Sequence, residues 1–286
     1  MPRTAVITLV SGRHGHLALQ QDGLAAGSLR PDHYIVVTMN DARAGRLAAG
    51  GEPPADVVAV PCPSAPAGLP LASARNAGAR SAVERGADCL IFLDVDCVPG
   101  RDTIARYASA VRDGELFCGA VSYLPPPPVG GYRLADLPVL ATPHAARPDP
   151  APGRVVYGGD AELFWSLSFA TTARTWHDIG GFCEEYVGYG GEDTDFALLA
   201  RRAGVGVAWL GGAPAYHQYH AVSHPPAEHL DAILRNGELF RRRWGTWPMR
   251  GWLKEFERRG LVRHEKSTDT WVKQLPEPAG SSTALG

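Results

Sequence analysis

Residues 90–96, Leu90-Ile91-Phe92-Leu93-Asp94-Val95-Asp96, drive an apolar run straight into two carboxylates one residue apart. The run has the character of a buried strand. Alternate strand positions face the same way, so Asp94 and Asp96 are expected to address one site while Val95 turns into the core. Open α/β sheets bind ligands at the carboxyl ends of their strands. Hard oxygen ligands at such an edge suit Mg²⁺ or Mn²⁺ carrying a diphosphate, because these ions keep positions for phosphate and water. The plainer alternative, a strand-ending pair used as turn residues or as a helix cap, stays open on these residues alone.

Outward from this stretch the pattern alternates strand and helix. Thr4–Val10 opens the series, and residues 33–38 (His-Tyr-Ile-Val-Val-Thr) and Asp56–Val60 read as short buried strands flanked by Gly, Pro or Asp. Residues 73–85 are Ala-rich and helix-competent, leading through Gly86 into the strand that ends at Asp94, and 103–112 form a further amphipathic helix. Such alternation predicts an α/β fold: a mostly parallel sheet with helices on both faces. Regularity fails over about 124–154, where prolines crowd at 125–128 and again from 138 to 152. This stretch reads as a mobile inserted loop, either a lid or a surface excursion.

Bulk properties set the context. A chain of 286 residues, 45% hydrophobic and 20% charged, is an ordinary soluble globular protein of one large or two small domains. A net charge of -2 offers no basic excess, so no nucleic-acid partner is expected. Five scattered cysteines without a Cys-x-x-Cys pair fit reduced thiols in a cytoplasmic protein. The apolar run before Gly12 is too short for a signal peptide or a membrane span. Near the other end, residues 228–264 read as a helical extension with Trp244, Trp247 and Trp252 among Arg241, Arg242, Arg243 and Arg250. It suits either peripheral contact with a membrane or lipid-linked acceptor, or the commoner helix pair that packs its aromatics and sends its arginines outward. Residues 265–286 read as a flexible tail with little to bury.

A second cluster lies at 180–204, where glycine-rich chain runs into a helix. Phe196, Leu199, Ala200 and Ala203 recur at helical spacing, with acids at the start and Arg201 and Arg202 at the end, as the helix dipole prefers. Helix-start acids are a sufficient account of Glu192, Asp193 and Asp195. They do not explain the glycines interleaved with Tyr186 and Tyr189. Backbone that approaches closely beside rings that stack describes a sugar-binding shelf of Tyr186, Tyr189, Gly190 and Gly191.

Asp94-Val95-Asp96 followed by Gly188-Tyr189-Gly190-Gly191-Glu192-Asp193 resembles the metal triplet and the Trp-Gly-Gly-Glu-Asp-type signature of GT-A fold glycosyltransferases, closest to the β-1,4-galactosyltransferase branch and related family-2-like enzymes. Arg13-His14-Gly15-His16-Leu17 is similar to the family's Arg-x-x-His-Leu segment, and Ala74-Arg75-Asn76-Ala77-Gly78 to its Arg-Asn-x-Gly segment. The resemblance spans roughly residues 4–222 and implies a Rossmann-like nucleotide-diphospho-sugar transferase domain over 1–227. It implies Mn²⁺ or Mg²⁺ on Asp96 and His220, with His217 standing where vertebrate galactosyltransferases carry Met. Arg13, His16, Asp41 and Arg75, at or just beyond predicted strand ends, are placed to meet the nucleotide, and Asp94 the ribose or donor sugar. Asp193 is implied as general base and Glu192 as a hydrogen-bonding partner of the acceptor, while Tyr189 replaces the family's Trp. The implied reaction moves a hexose of galactose, glucose or N-acetylhexosamine type from a UDP-sugar to a small-molecule or glycan acceptor. Retaining relatives carry Asn where this chain has Asp193, which favours inversion. Two rivals share the fold class: a sugar nucleotidylyltransferase, whose phosphate loop Val10-Ser11-Gly12-Arg13 imitates poorly, and a non-catalytic binding module.

Overall fold

A computed structural model describes residues 1–62, 68–221 and 223–274. In chain order the first elements are β1 (Thr4–Val10), α1 (His14–Ala25), β2 (His33–Met39), α2 (Ala42–Ala49), β3 (Asp56–Val60), α3 (Leu71–Glu84), β4 (Cys89–Leu93), β5 (Cys97–Pro99) and α4 (Thr103–Ala110). Next come β6 (Glu115–Tyr123), α5 (Leu137–Leu140), β7 (Thr142–Pro143), β8 (Val155–Tyr157), β9 (Ser168–Thr172), α6 (Ala173–Ile179), α7 (Glu192–Arg202) and β10 (Gly206–His217). The main path of the sheet runs β3-β2-β1-β4-β9-β6-β10-β5, with β7 beside β6 and β8 beside β10.

The two-residue period of the strands splits the core into two layers. Ile7, Leu9, Ile35, Val37, Leu90 and Phe92 pack on one face against α3, α6 and α7 through Ala79, Trp176 and Phe196. Val6, Val10, Tyr34, Val36, Ile91 and Leu93 pack on the other against α1, α2 and α4 through Leu17, Ala44 and Ile104. Because β1 to β4, β6 and β10 share one direction, their carboxyl ends form a common edge. The mostly parallel sheet is interrupted by β9, which runs antiparallel to both β4 and β6. Its sequence, Ser-Phe-Ala-Thr-Thr, carries too short a pattern to be read as a central strand.

Two further differences from the sequence reading shape that edge. First, the sequence marks only residues 205–210 as a short strand ahead of His217, whereas β10 continues to His217 through a register shift between Leu210 and Ala215. Second, the 124–154 stretch, expected as a mobile loop, is tied down at several points. Thr142 and Pro143 pair with β6, and Leu137 is buried beside Val98, Leu124 and Tyr216. Proline bars ladder donation only at its own nitrogen, so a Pro-rich segment can still lie along an edge.

A second compact unit comprises Tyr189–Gly191 and Val222–Gly286. It holds α8 (Leu230–Trp244), α9 (Arg250–Arg258) and a hairpin of β11 (Val262–Glu265) and β12 (Thr270–Lys273). Its core is Leu230, Ile233, Trp247, Leu253, Phe256 and Val262. The Trp247 Nε1–H donates to the Asp269 carbonyl at 2.8 Å, and Arg241 and Arg258 pair outward with Glu238 and Glu255. Of the two arrangements open in the sequence, the aromatics follow the packed one. Residues 265–274, expected as the start of a flexible tail, instead complete the hairpin, where His264 stacks on Trp271 at 4.5 Å. That apolar contact was the signal missed; 275–286 lie outside the described residues. Among the described residues no helix is long and apolar enough to cross a membrane.

Candidate active site

Strand β4 ends at Leu93, and residues 94–96 form a turn rather than extended strand. The Cys97 amide closes it onto the Asp94 carbonyl at 2.8 Å. The two aspartates therefore do not occupy alternate strand positions, although Val95 does turn into the core. A residue that sequence reading missed holds this turn. Gln20, fully buried on α1, donates through Nε2 to the carbonyls of Asp94 (2.7 Å) and Cys97 (2.9 Å). Its Oε1 accepts from the Thr8 and Tyr34 hydroxyls, each at 2.9 Å. An amide on the same helix face as Leu17 and Leu24 was the available signal, since a buried polar group needs such partners.

Asp96 faces Arg13 and two imidazoles. The antiparallel register of β5 and β10 sets His217 opposite Cys97, and the Gln218 amide donates to the Asp96 carbonyl at 2.7 Å. His217 Nε2 then lies 3.6 Å from Asp96 Oδ1 and His220 Nε2 3.5 Å from Oδ2, which Arg13 also pairs. One ligand-type atom from each of Asp96, His217 and His220 lies within 4.8 Å of the other two. Burial alone would raise the Asp96 carboxyl, but His220, His217 and Arg13 outweigh it and hold it at about 2. Burial depresses His217 and His16, favouring neutral imidazoles. His16 joins this group through a ring 6.5 Å from that of His220.

Asp94 has a different partner. Its Oδ1 lies 3.4 Å from Nη2 of Arg75, whose side chain is buried over the Phe182 ring. Burial lifts Asp94 to about 7, with Arg75 opposing and Asp96 and Asp193 reinforcing. At the start of α7, burial and the Asp193 charge push Glu192 up to about 7, and its Oε2 has no hydrogen-bond partner among the described residues. Asp193 is gripped by Ser166, whose amide reaches Oδ2 at 3.0 Å and whose hydroxyl reaches Oδ1 at 2.6 Å. Ser166, 1% exposed, carried no sequence signal because its contact spans 27 residues.

The remaining expected residues scatter. Asp41 caps α2 through the Ala44 amide (2.9 Å) and also binds the Gly12 amide (2.7 Å) and His14 (2.9 Å), so the structure gives it a local role beside Arg13. Tyr186 needs correction as a shelf residue. Its ring is 2% exposed and its hydroxyl donates to Asp195 Oδ1 at 3.2 Å, leaving no stacking face for a ligand. Within the second unit, Tyr189 is 38% exposed and stacks on His229 at 4.7 Å. Gly190 there adopts φ +94°, and a Cβ would meet Met249 Sδ at 2.8 Å, a packing reason for glycine that involves no ligand.

The fold is that of the GT-A glycosyltransferases. Residues 157–225 match the family model described as the N-terminal domain of galactosyltransferase. Among solved structures, S. aureus TarS 1-349 is similar at 12% identity and a TM-score of 0.52, over 82% of this chain and 64% of that one. GalNAc-T7 with UDP, GalNAc and Mn²⁺ is similar at 13% identity and a TM-score of 0.53, over 90% of this chain and 57% of that one. The same TarS fragment in complex with UDP-GlcNAc is similar at 11% identity and a TM-score of 0.52, over 82% and 65% respectively. The chain thus spans less than two-thirds of the length of these neighbours. No curated protein sequence matches the chain.

Proposed function

We propose that this chain is an inverting, metal-dependent transferase that moves a hexose from a UDP-sugar to an acceptor hydroxyl. The observation that carries the reading is one sheet edge bearing both a three-residue ligand set, Asp96, His217 and His220, and the carboxylates that begin α7. The UDP, Mn²⁺ and UDP-GlcNAc named for the similar structures support the choice of donor and ion.

The ligand set can hold a divalent ion: Asp96 Oδ1 is buried without a hydrogen-bond partner among the described residues, and two imidazoles bracket the carboxylate, a mixed nitrogen and oxygen set that suits Mn²⁺ better than all-oxygen Mg²⁺. Asp96, His217 and His220 would hold the ion, which when bound neutralises charge on the departing nucleoside diphosphate. Arg13 adds positive charge on the same side, and His16 lines it. On the opposite side Asp193 takes the proton of the acceptor hydroxyl. Ser166 fixes both of its oxygens, so the base enters the reaction already oriented. Glu192, balanced between protonation states near neutral pH, donates to or accepts from the acceptor. Arg75 offsets the repulsion among Asp94, Glu192 and Asp193. Attack from the Asp193 side opposes the leaving diphosphate, so an α-linked donor yields a β-linked product.

Asp193→Asn tests this. Loss of the base is expected to slow transfer by about 10²- to 10⁴-fold with UDP-sugar affinity nearly unchanged. Retention of configuration in the product's NMR coupling constant would overturn inversion. Pyrophosphate release from a nucleoside triphosphate and a sugar phosphate would move the protein to the nucleotidylyltransferases. Donor binding with neither transfer nor hydrolysis would make it a binding module.

A further inference from the structure

Arg147 lies in the 124–154 stretch and is only 8% exposed. Among the described residues, Nε, Nη1 and Nη2 all lack a hydrogen-bond partner. Its guanidinium carbon sits 5.1 Å from the ring centres of both Trp165 and Trp209. Indole faces attract the cation but cannot satisfy N–H groups that radiate in the guanidinium plane. A buried charge left in that condition is costly, and among the described residues no acid hydrogen-bonds to it. Its charge reaches the thiols of Cys97 and Cys118 and the phenols of Tyr107 and Tyr123.

Its surroundings tie Arg147 to both halves of the site. Trp165 directly precedes Ser166, which holds Asp193. In the other direction Trp165 meets His144 edge-on at 4.7 Å, His144 meets Tyr123 at 5.9 Å, and Tyr123 meets His217 at 4.9 Å. A planar fork with open donors is the group best suited to a two-point contact with an oxyanion.

We infer that Arg147, framed by Trp165 and Trp209, is an anion subsite that takes a phosphate or carboxylate oxyanion of the substrate. The assignment to substrate rests on the transferase reading above; the affinity for an oxyanion does not. Two sources share this chemistry: the donor diphosphate, and a carboxylate carried by the sugar.

The test titrates the full chain, as wild type, Arg147→Met and Arg147→Lys, with inorganic phosphate, with UDP plus Mn²⁺, and with UDP-glucuronate against UDP-glucose. Methionine keeps bulk between the indoles and removes the charge. Roughly 10- to 100-fold weaker binding of at least one anionic probe is expected for Arg147→Met, from loss of charge-assisted hydrogen bonds, with far-UV circular dichroism unchanged. Weaker UDP binding identifies the diphosphate as the source. Unchanged UDP binding with lost preference for UDP-glucuronate identifies the sugar carboxylate. Should Arg147→Met fail to fold, Arg147→Lys decides: it keeps the charge but not the fork, so its affinities should fall in the same direction. Equal affinities for every probe in wild type and the folded variants would overturn the subsite. Failure of the transferase reading looks different, since UDP titrations would then be flat in wild type while the phosphate arm still reports on Arg147.

Discussion

Asp94 and Asp96 stand one residue apart in the same buried turn, yet one carboxyl is lifted to about 7 and the other held at about 2. Burial penalises the charge on both. What separates them is company: Asp96 meets Arg13, His217 and His220, whereas Asp94 shares Arg75 with Glu192 and Asp193. The turn thus divides two identical side chains between a half lined by Arg13 and imidazoles, suited to holding a metal diphosphate, and an acid-rich half suited to proton transfer. The neighbouring strands and helices, more than the triplet itself, decide which aspartate does which.

The largest expected effect attacks that division directly. Asp96→Asn should weaken Mn²⁺ binding by more than about 100-fold, beyond what loss of an outer partner costs, and chelator should mimic it in donor binding. Asp94→Asn should weaken Mn²⁺ by less than about tenfold. Calorimetric titration of both variants checks the pair; equal losses would dissolve the distinction between the two halves.

A smaller effect should follow from loosening the turn that keeps the halves apart. Gln20→Leu removes the amide that clasps the Asp94 and Cys97 carbonyls and leaves the Tyr34 hydroxyl without its acceptor. Orphaned buried groups of this kind are expected to lower stability by roughly 2 kcal/mol. Mn²⁺ affinity should fall alongside it, because Asp96 is no longer held against His217. Denaturant unfolding with and without metal separates the two losses, and a stability loss with unchanged Mn²⁺ affinity would reduce Gln20 to a packing residue.

The turn also shows what a sequence can carry. An apolar run ending in acids announces a strand and a charged edge through local periodicity alone, and the Gly-Gly-Glu-Asp start of α7 does the same for a helix. The family resemblance named His217 and His220, and the structure puts both beside Asp96. It does not report the contacts that assign chemistry: Ser166 on Asp193 across 27 residues, Gln20 on Asp94 across 74, or Arg147 between two indoles. These are set by tertiary packing, which no local period encodes. The same limit explains Tyr186, whose glycine-rich setting resembles a ligand shelf although its ring fills the core. Strand β10 runs on past Leu210 because Gly211 and Gly212 lie within the register shift that carries it to His217, a long-range pairing with β6 that local pattern does not report.

The finest test of the comparison is the pH dependence of the acid-rich half. Glu192 is raised from an ordinary 4.5 to about 7 by burial and by the Asp193 charge. Between these values the folded chain keeps a proton that the unfolded chain has released. Stability must therefore fall as pH rises through that window, by at most about 1.4 kcal/mol per pH unit for one whole proton. Asp94, also raised, adds a slope of the same sign, whereas the lowered Asp96 acts only in more acidic solution, where its contribution is lost as pH falls below 3.8. Glu192→Gln removes the titrating group and keeps its shape, so metal-free denaturant unfolding between pH 5 and pH 7, in roughly half-unit steps, should give a shallower decline than wild type. Parallel curves for the two proteins would mean that Glu192 is ionised throughout this range, and that Arg75 alone compensates all three acids.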